Sequence, residues 1–150
     1  ARQAHTVGIP FVFDPGQGLP MFDGEELKTF ISQATWVAVN DYEGKMLAER
    51  TGSSLAELSK SHLKGLIETL GADGCNVYIQ GEKTHVPGVK ASAVVDPTGC
   101  GDAFRGGLLY GLANGWDLVK SVALANRIGA IKIAAAGPQN YTLDRAALGV

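Results

Sequence analysis

Residues 94–104 read VVDPTGCGDAF. Two β-branched apolar residues run into a turn of small residues, and a carboxylate, Asp102, stands where a helix would begin. A strand, a glycine turn and a helix N-terminus in that order make an anion site. The first-turn N–H groups have no intrahelical acceptor, and the helix dipole adds partial positive charge. The small residues of Thr98-Gly99-Cys100-Gly101 let a phosphate approach the backbone closely. A fixed carboxylate repels a phosphate that is merely bound. It has a use where a hydroxyl attacks a phosphoryl group: the amides stabilise charge on the transferring oxygens, and the carboxylate orients the hydroxyl and takes its proton. A first-turn carboxylate also complements the helix dipole with no further role, and the residues alone leave both readings open.

Two familiar phosphate motifs are excluded. The P-loop pattern GxxxxGK[ST] occurs nowhere in the chain. A dinucleotide fingerprint would need a third glycine at position 104, which is Phe104, so a dinucleotide-dependent oxidoreductase is disfavoured.

Working outward from this stretch, strands and helices alternate. Residues 7–13 form an apolar run that reads as a buried strand, followed by the loop Asp14-Pro15-Gly16. A helix is expected over 22–33, with Asp23 as cap and Glu25 and Glu26 in its first turn. A short strand over 36–39 ends at Asn40, and a helix over 41–50 stops at Thr51-Gly52. Residues 54–58 make a further helical piece, with Glu57 placed for a capping box. Strand–turn–strand is expected over 65–79, a hairpin turn at 80–83, and a return over 84–86. Residues 91–95 read as the strand before the glycine turn. Helices follow over 102–113 and from Asp117 to about residue 136, where Gly137-Pro138 stops the second. Such alternation predicts an α/β fold with a mostly parallel sheet flanked by helices.

Composition narrows the function. The chain has 150 residues, 45% hydrophobic and 19% charged, enough for one domain with a real core. Its 20 glycines are not periodic and gather at turns and in one helix, which predicts close backbone approaches. A net charge of −2 gives no footprint for nucleic acid. The most apolar run, residues 128–136, is short and interrupted by Lys132, so no membrane partner is expected. The first residues lack a signal-peptide layout, and Cys75 and Cys100 are expected as reduced thiols in the cytoplasm. His5, His62 and His85 have no ligand spacing. A strand almost at residue 1 reads as part of a sheet that began earlier, hence as a fragment of a longer protein.

The stretch DPTGCGDAFRGGLLYG resembles the second signature of the ribokinase-like (PfkB) small-molecule kinases, usually written D-T-x-G-A-G-D. Asp96, Thr98, Gly99, Gly101 and Asp102 fall in register, followed by the small residues Gly106 and Gly107. Cys100 departs from the usual Ala or Gly but is still small, and Pro97 is also unusual. The resemblance implies that Asp102 is the catalytic base and that Gly99, Cys100 and Gly101 form the anion hole. It implies for Asp96 a share in a monovalent cation site, as in some relatives.

Further motifs match the same family. Asn40-Asp41-Tyr42-Glu43 matches N-x-x-E, which implies that Asn40 and Glu43 hold Mg²⁺ and its waters; by themselves these residues read equally as a helix cap with Glu at its third position. Residues 69–74 match the nucleotide loop T-x-G-x-x-G, which implies ATP contacts from Thr69, Gly71 and Gly74; alone they read as an ordinary glycine turn. Asn126 and Gly137 resemble residues lining the adenine slot. Arg105, one turn after Gly101, is within reach of a phosphate or of solvent.

The resemblance runs from about Val7 to the end and corresponds to the C-terminal half of the family's fold, the ATP-binding and catalytic portion, without the half that carries the substrate lid. With VNDYEGKMLAERTG and FDPGQGLP, the signature looks most like bacterial adenosine or nucleoside kinases. It implies an ATP- and Mg²⁺-dependent phosphotransferase acting on a hydroxyl of a nucleoside or sugar, and leaves a homodimer open. The alternatives are a non-catalytic nucleotide-binding fragment and a sugar kinase such as ribokinase or fructokinase.

Overall fold

A computed structural model describes residues 1–150. In chain order the elements are α1 (Arg2–Thr6), β1 (Val12–Phe13), α2 (Gly24–Gln33), β2 (Trp36–Asn40), α3 (Asp41–Thr51), α4 (Leu55–Leu58), β3 (Gly65–Thr69), β4 (Gly74–Ile79), β5 (Glu82–Pro87), α5 (Cys100–Ala113), α6 (Leu118–Lys132) and α7 (Arg145–Leu148). The five strands form one sheet in the order β1-β2-β3-β4-β5. β1, β2 and β3 are parallel neighbours. The connections from β3 to β4 and from β4 to β5 are too short for a crossover, so each of those pairs is antiparallel, and four of the five strands run the same way. The β4–β5 turn rests on Gln80 and Gly81, both at positive φ, the geometry that matches the twist of paired strands. No helix is long and apolar enough to cross a membrane.

The chain divides into two compact units: Ala1–Leu70 with Asn76–His85, and Gly71–Cys75 with Val86–Val150. The first unit buries Leu27 and Ile31 of α2, Val37 and Val39 of β2, Leu47 of α3, Leu66 of β3 and Tyr78 of β4 in one cluster. Its helix starts follow the sequence closely. Asp23 caps α2, Asn40 caps α3 and Ser54 caps α4, each closed into a capping box by the Glu three residues on.

The second unit is built on α5 against α6. A Cβ added to Gly107 would lie 2.8 Å from Ala125 Cα, and one added to Gly111 would lie 2.9 Å from Ser121 Cα, so the missing side chains set how closely the helices approach. Ala103, Leu124, Ile128 and Leu148 form the cluster beside this seam.

Three sequence expectations are corrected. Residues 7–13 are not one buried strand. Gly8 turns the chain at φ +72°, Pro10 has no N–H to donate, Val7 and Ile9 are exposed, and only the half-buried Val12 and Phe13 pair. Residues 91–95 form no strand. The amides of Val95 and Asp96 both donate to one acceptor, the Ile133 carbonyl beyond α6, rather than to a ladder, and Val94 is exposed. α6 ends at Lys132, short of residue 136, because the chain tightens into three-residue bonds: Ala134 N–H to Ile131 O and Ala135 N–H to Lys132 O. Smaller differences lie at element ends: α5 begins at Cys100 rather than 102, and β4 at Gly74 rather than 76.

Candidate active site

The turn before α5 is held by Asp96. One carboxylate oxygen, Oδ1, accepts from the Thr98 N–H at 2.8 Å, and Oδ2 accepts from the Gly137 N–H at 2.8 Å. The first bond makes the Asx turn that reverses the chain. Together with the Gly137 bond it holds the Asp96 carboxyl at about 2, the Thr98 backbone bond contributing most. Gly99 follows at φ +81°, and a Cβ there would lie 2.9 Å from Pro138 Cβ. Glycine is therefore required twice over, for the left-handed backbone and for the contact with residue 138. Gly137, expected from the resemblance, sits in this clamp, at φ +78° itself.

α5 opens directly after this turn. The Cys100 N–H donates to Pro97 O at 3.1 Å, and the Ala103 N–H to Gly99 O at 2.9 Å. The amides of Gly99, Gly101 and Asp102 make no backbone hydrogen bond. The available donors therefore differ by one from the expected set: Cys100 turns its amide inward, and the Asp102 amide stands open instead. The Cys100 thiol is half-buried and pushed up by that burial, which argues against a nucleophile at this position. Asp102 is exposed and lies on the rim of a cavity of about 510 Å³, which Tyr110, Gln139, Tyr141 and Arg145 also line. Arg105 folds back along α5, its Nη1 standing 2.6 Å from where a Gly101 Cβ would be, and burial lowers its pKa. That places a guanidinium over the first turn, a feature that sequence spacing alone left between phosphate and solvent.

Asn126 sits on α6 with its amide fully engaged. Its Oδ1 accepts from Cys75 Sγ at 3.2 Å, and its Nδ2 donates to Pro87 O at 3.1 Å and Val86 O at 3.4 Å. Gly71 and Gly74 belong to the same corner. The Gly88 N–H donates to Asp73 O at 3.2 Å, and Cβ atoms on Gly74 or Gly88 would run into the facing backbone at Val86–Gly88 and at Ala72. Gly88 was not legible as a site residue; its only signal is a glycine just after a strand. The corner braces the glycine loop, and the outward φ +59° turn at Gly71 has open space around it.

In the first unit, Asn40 and Thr69 are register partners at the C-terminal ends of parallel neighbours β2 and β3, where ligands of α/β sheets collect. Asn40 Oδ1 accepts from the Glu43 N–H at 2.7 Å, and Glu43 Oε2 accepts from the Asn40 N–H at 2.8 Å. The capping arrangement is thus realised. It leaves Oε1 of the buried Glu43 and a second lone pair on Asn40 Oδ1 uncommitted, which suits a cation that keeps most of its waters. No three His, Cys, Asp or Glu side chains cluster as a denser metal centre. Glu68, on β3, was not singled out by sequence: its Oε2 accepts from Asn76 and from the Tyr78 hydroxyl, whose pKa rises to about 12 through burial and this bond.

The oxygen set at Asp96 does not fit a further monovalent cation. Lys132, fully buried, donates to Asp96 O at 2.8 Å and to Ala135 O at 3.1 Å. An ammonium already occupies the oxygens that such an ion would need.

Comparison with known proteins places this geometry. The pfkB family carbohydrate kinase model matches residues 1–145. The solved structure of Burkholderia thailandensis nucleoside kinase in complex with inosine is 48% identical, with a TM-score of 0.93 over 98% of this chain and 48% of that one. A nucleoside kinase of Methanocaldococcus jannaschii is 31% identical over 85% of this chain and 42% of its own length. Aminoimidazole riboside kinase of Salmonella typhimurium is 32% identical over 91% and 46% respectively. The chain thus spans less than half the length of these relatives, and its fold is ribokinase-like. The chain belongs to the pfkB family of carbohydrate kinases.

Proposed function

We propose that this chain is the ATP-binding and catalytic portion of a kinase that moves the γ-phosphoryl group of ATP to a hydroxyl of a nucleoside. The observation that carries the reading is the start of α5: an exposed carboxylate beside open amides, on the rim of a cavity. Nucleoside is preferred over sugar as acceptor because relatives under that name match most of this chain, one of them solved with inosine.

In this reading Asp102 accepts the proton of the acceptor hydroxyl as its oxygen attacks phosphorus. The amides of Gly99, Gly101 and Asp102 stabilise charge on the equatorial phosphoryl oxygens, and the α5 dipole adds to them. Arg105 faces the same charge from above the first turn. Within the second unit, Gly71 and Gly74 contact the nucleotide, and Asn126 braces their corner through Cys75 and the Val86 and Pro87 carbonyls. Asn40 and Glu43 of the first unit would hold Mg²⁺ through its waters, and the ion would supply neutralisation of phosphate charge. Two free thiols suit a cytoplasmic setting.

Asp102→Asn in the intact protein should lower phosphoryl transfer by about a hundredfold or more, the range general-base catalysis contributes, while ATP affinity is retained. Transfer from labelled ATP to a panel of nucleosides and sugars, with ATP binding by calorimetry, reads both quantities. Parallel loss of binding and transfer would make Asp102 a structural residue, and transfer to sugars alone would reassign the acceptor.

A further inference from the structure

Lys132 is a lysine with no exposed surface, on the last turn of α6. Buried ammonium groups persist only when their donors are met by oxygens and their charge is matched. Two of the three donors meet main-chain oxygens here. Nζ donates to the Asp96 and Ala135 carbonyls, and the Asp96 carboxylate is close enough for the lysine charge to contribute to its lowered pKa. No buried side-chain nitrogen or oxygen lacks a hydrogen-bond partner. The same carboxylate anchors Thr98 and Gly137, and the neighbouring Ile133 carbonyl receives the Val95 and Asp96 amides. One positive charge therefore sits on carbonyl oxygens from the two segments that build the turn before α5.

We infer that the Lys132 ammonium is a built-in substitute for a bound monovalent cation, and that the protein takes no K⁺ or Na⁺ at Asp96. The chemistry is closely matched. A primary ammonium and K⁺ are both compact monovalent charges satisfied by carbonyl and carboxylate oxygens. Two such charges a few ångströms apart in this buried setting repel strongly, so the tethered one excludes the free one. The tether also removes a concentration dependence: a free ion stabilises by an amount that grows with the logarithm of its concentration, whereas Lys132 is always present. Lys132 acts as a positioning residue. It touches no substrate and fixes the segment whose amides open toward the anion.

The test needs no assumption about the reaction, so its failure is separable from failure of the kinase reading. Thermal unfolding of the intact protein is followed in choline, lithium, potassium and ammonium chlorides at equal ionic strength. The wild-type midpoint should be the same in choline and potassium. Lys132→Ala should lower the midpoint in choline by several degrees, and potassium or ammonium, but not lithium, should restore part of the loss. A wild-type midpoint that rises selectively in potassium would overturn the inference, as would a variant insensitive to every cation. If Lys132→Ala does not fold, thallium(I) binding to the wild-type protein decides alone: stoichiometric uptake displaced by potassium overturns it, and no uptake supports it.

Discussion

Asp96 spends its carboxylate on main-chain donors, and this has a measurable consequence. Its pKa falls from 3.8 to about 2, first because of the Thr98 N–H and hydroxyl and then because of the Gly137 N–H. The folded state therefore binds this proton less readily than the unfolded chain does. The stability these bonds contribute is complete above the unfolded value and is lost as pH falls from there through the folded one. Urea midpoints measured across that window should drop less steeply for Asp96→Asn than for the wild type; equal slopes would remove Asp96 from acid unfolding. Legibility was uneven at this scale. Gly99 and Asp102 stood out because a carboxylate–glycine spacing is local, and Asp96 through its register with the family signature. Lys132 showed only as an interruption in an apolar run, since its oxygen partners include a carbonyl 36 residues away.

Helix starts were readable because caps are local. Asp23, Asn40, Ser54 and Asp117 each accept from an amide two or three residues on, and the side chain that does so is written in the sequence. The segment before α5 was not, because its apolar residues imitate a strand while its amides go to a helix end. The glycines of α5 lie between these cases. Their number predicts close approach, but only the partner helix shows which ones matter. Gly111 faces Ser121, whereas Gly106 faces open space. Gly111→Val should cost about 1–3 kcal/mol through overpacking. Gly106→Ala should gain about 0.5–1 kcal/mol from reduced chain entropy in a helix interior. Denaturant titration of both variants checks the pair, and a neutral Gly111→Val would mean that α5 and α6 can separate without loss.

Both cysteines belong to the second unit, which presents them differently from what two lone thiols in a sequence suggest. Cys75 is buried, bonded to Asn126, and pushed up to about 12 by desolvation. Cys100 is half-buried at the first turn of α5. In the native protein a disulfide-exchange reagent should modify Cys100 alone, and Cys75 only as fast as the surrounding structure opens. Bound ATP should slow the first reaction. Equal rates for both thiols in native buffer would contradict this packing. The α/β class, the parallel core of the sheet and the family were legible from alternation and one signature. Which residues form the first unit and which the second was not, because residues 71–75 leave their sequence neighbours for the segment that follows residue 85.

α6 runs fifteen residues from its Asp117 cap to Lys132. Each residue turns the helix by about 100°, so one residue gained or lost along that run would swing the terminal ammonium more than a quarter turn from its carbonyls. The helix is in effect a ruler. Point replacements along its outer face leave its last graduation in place, whereas a change in its count moves the far end out of phase with the turn it supports.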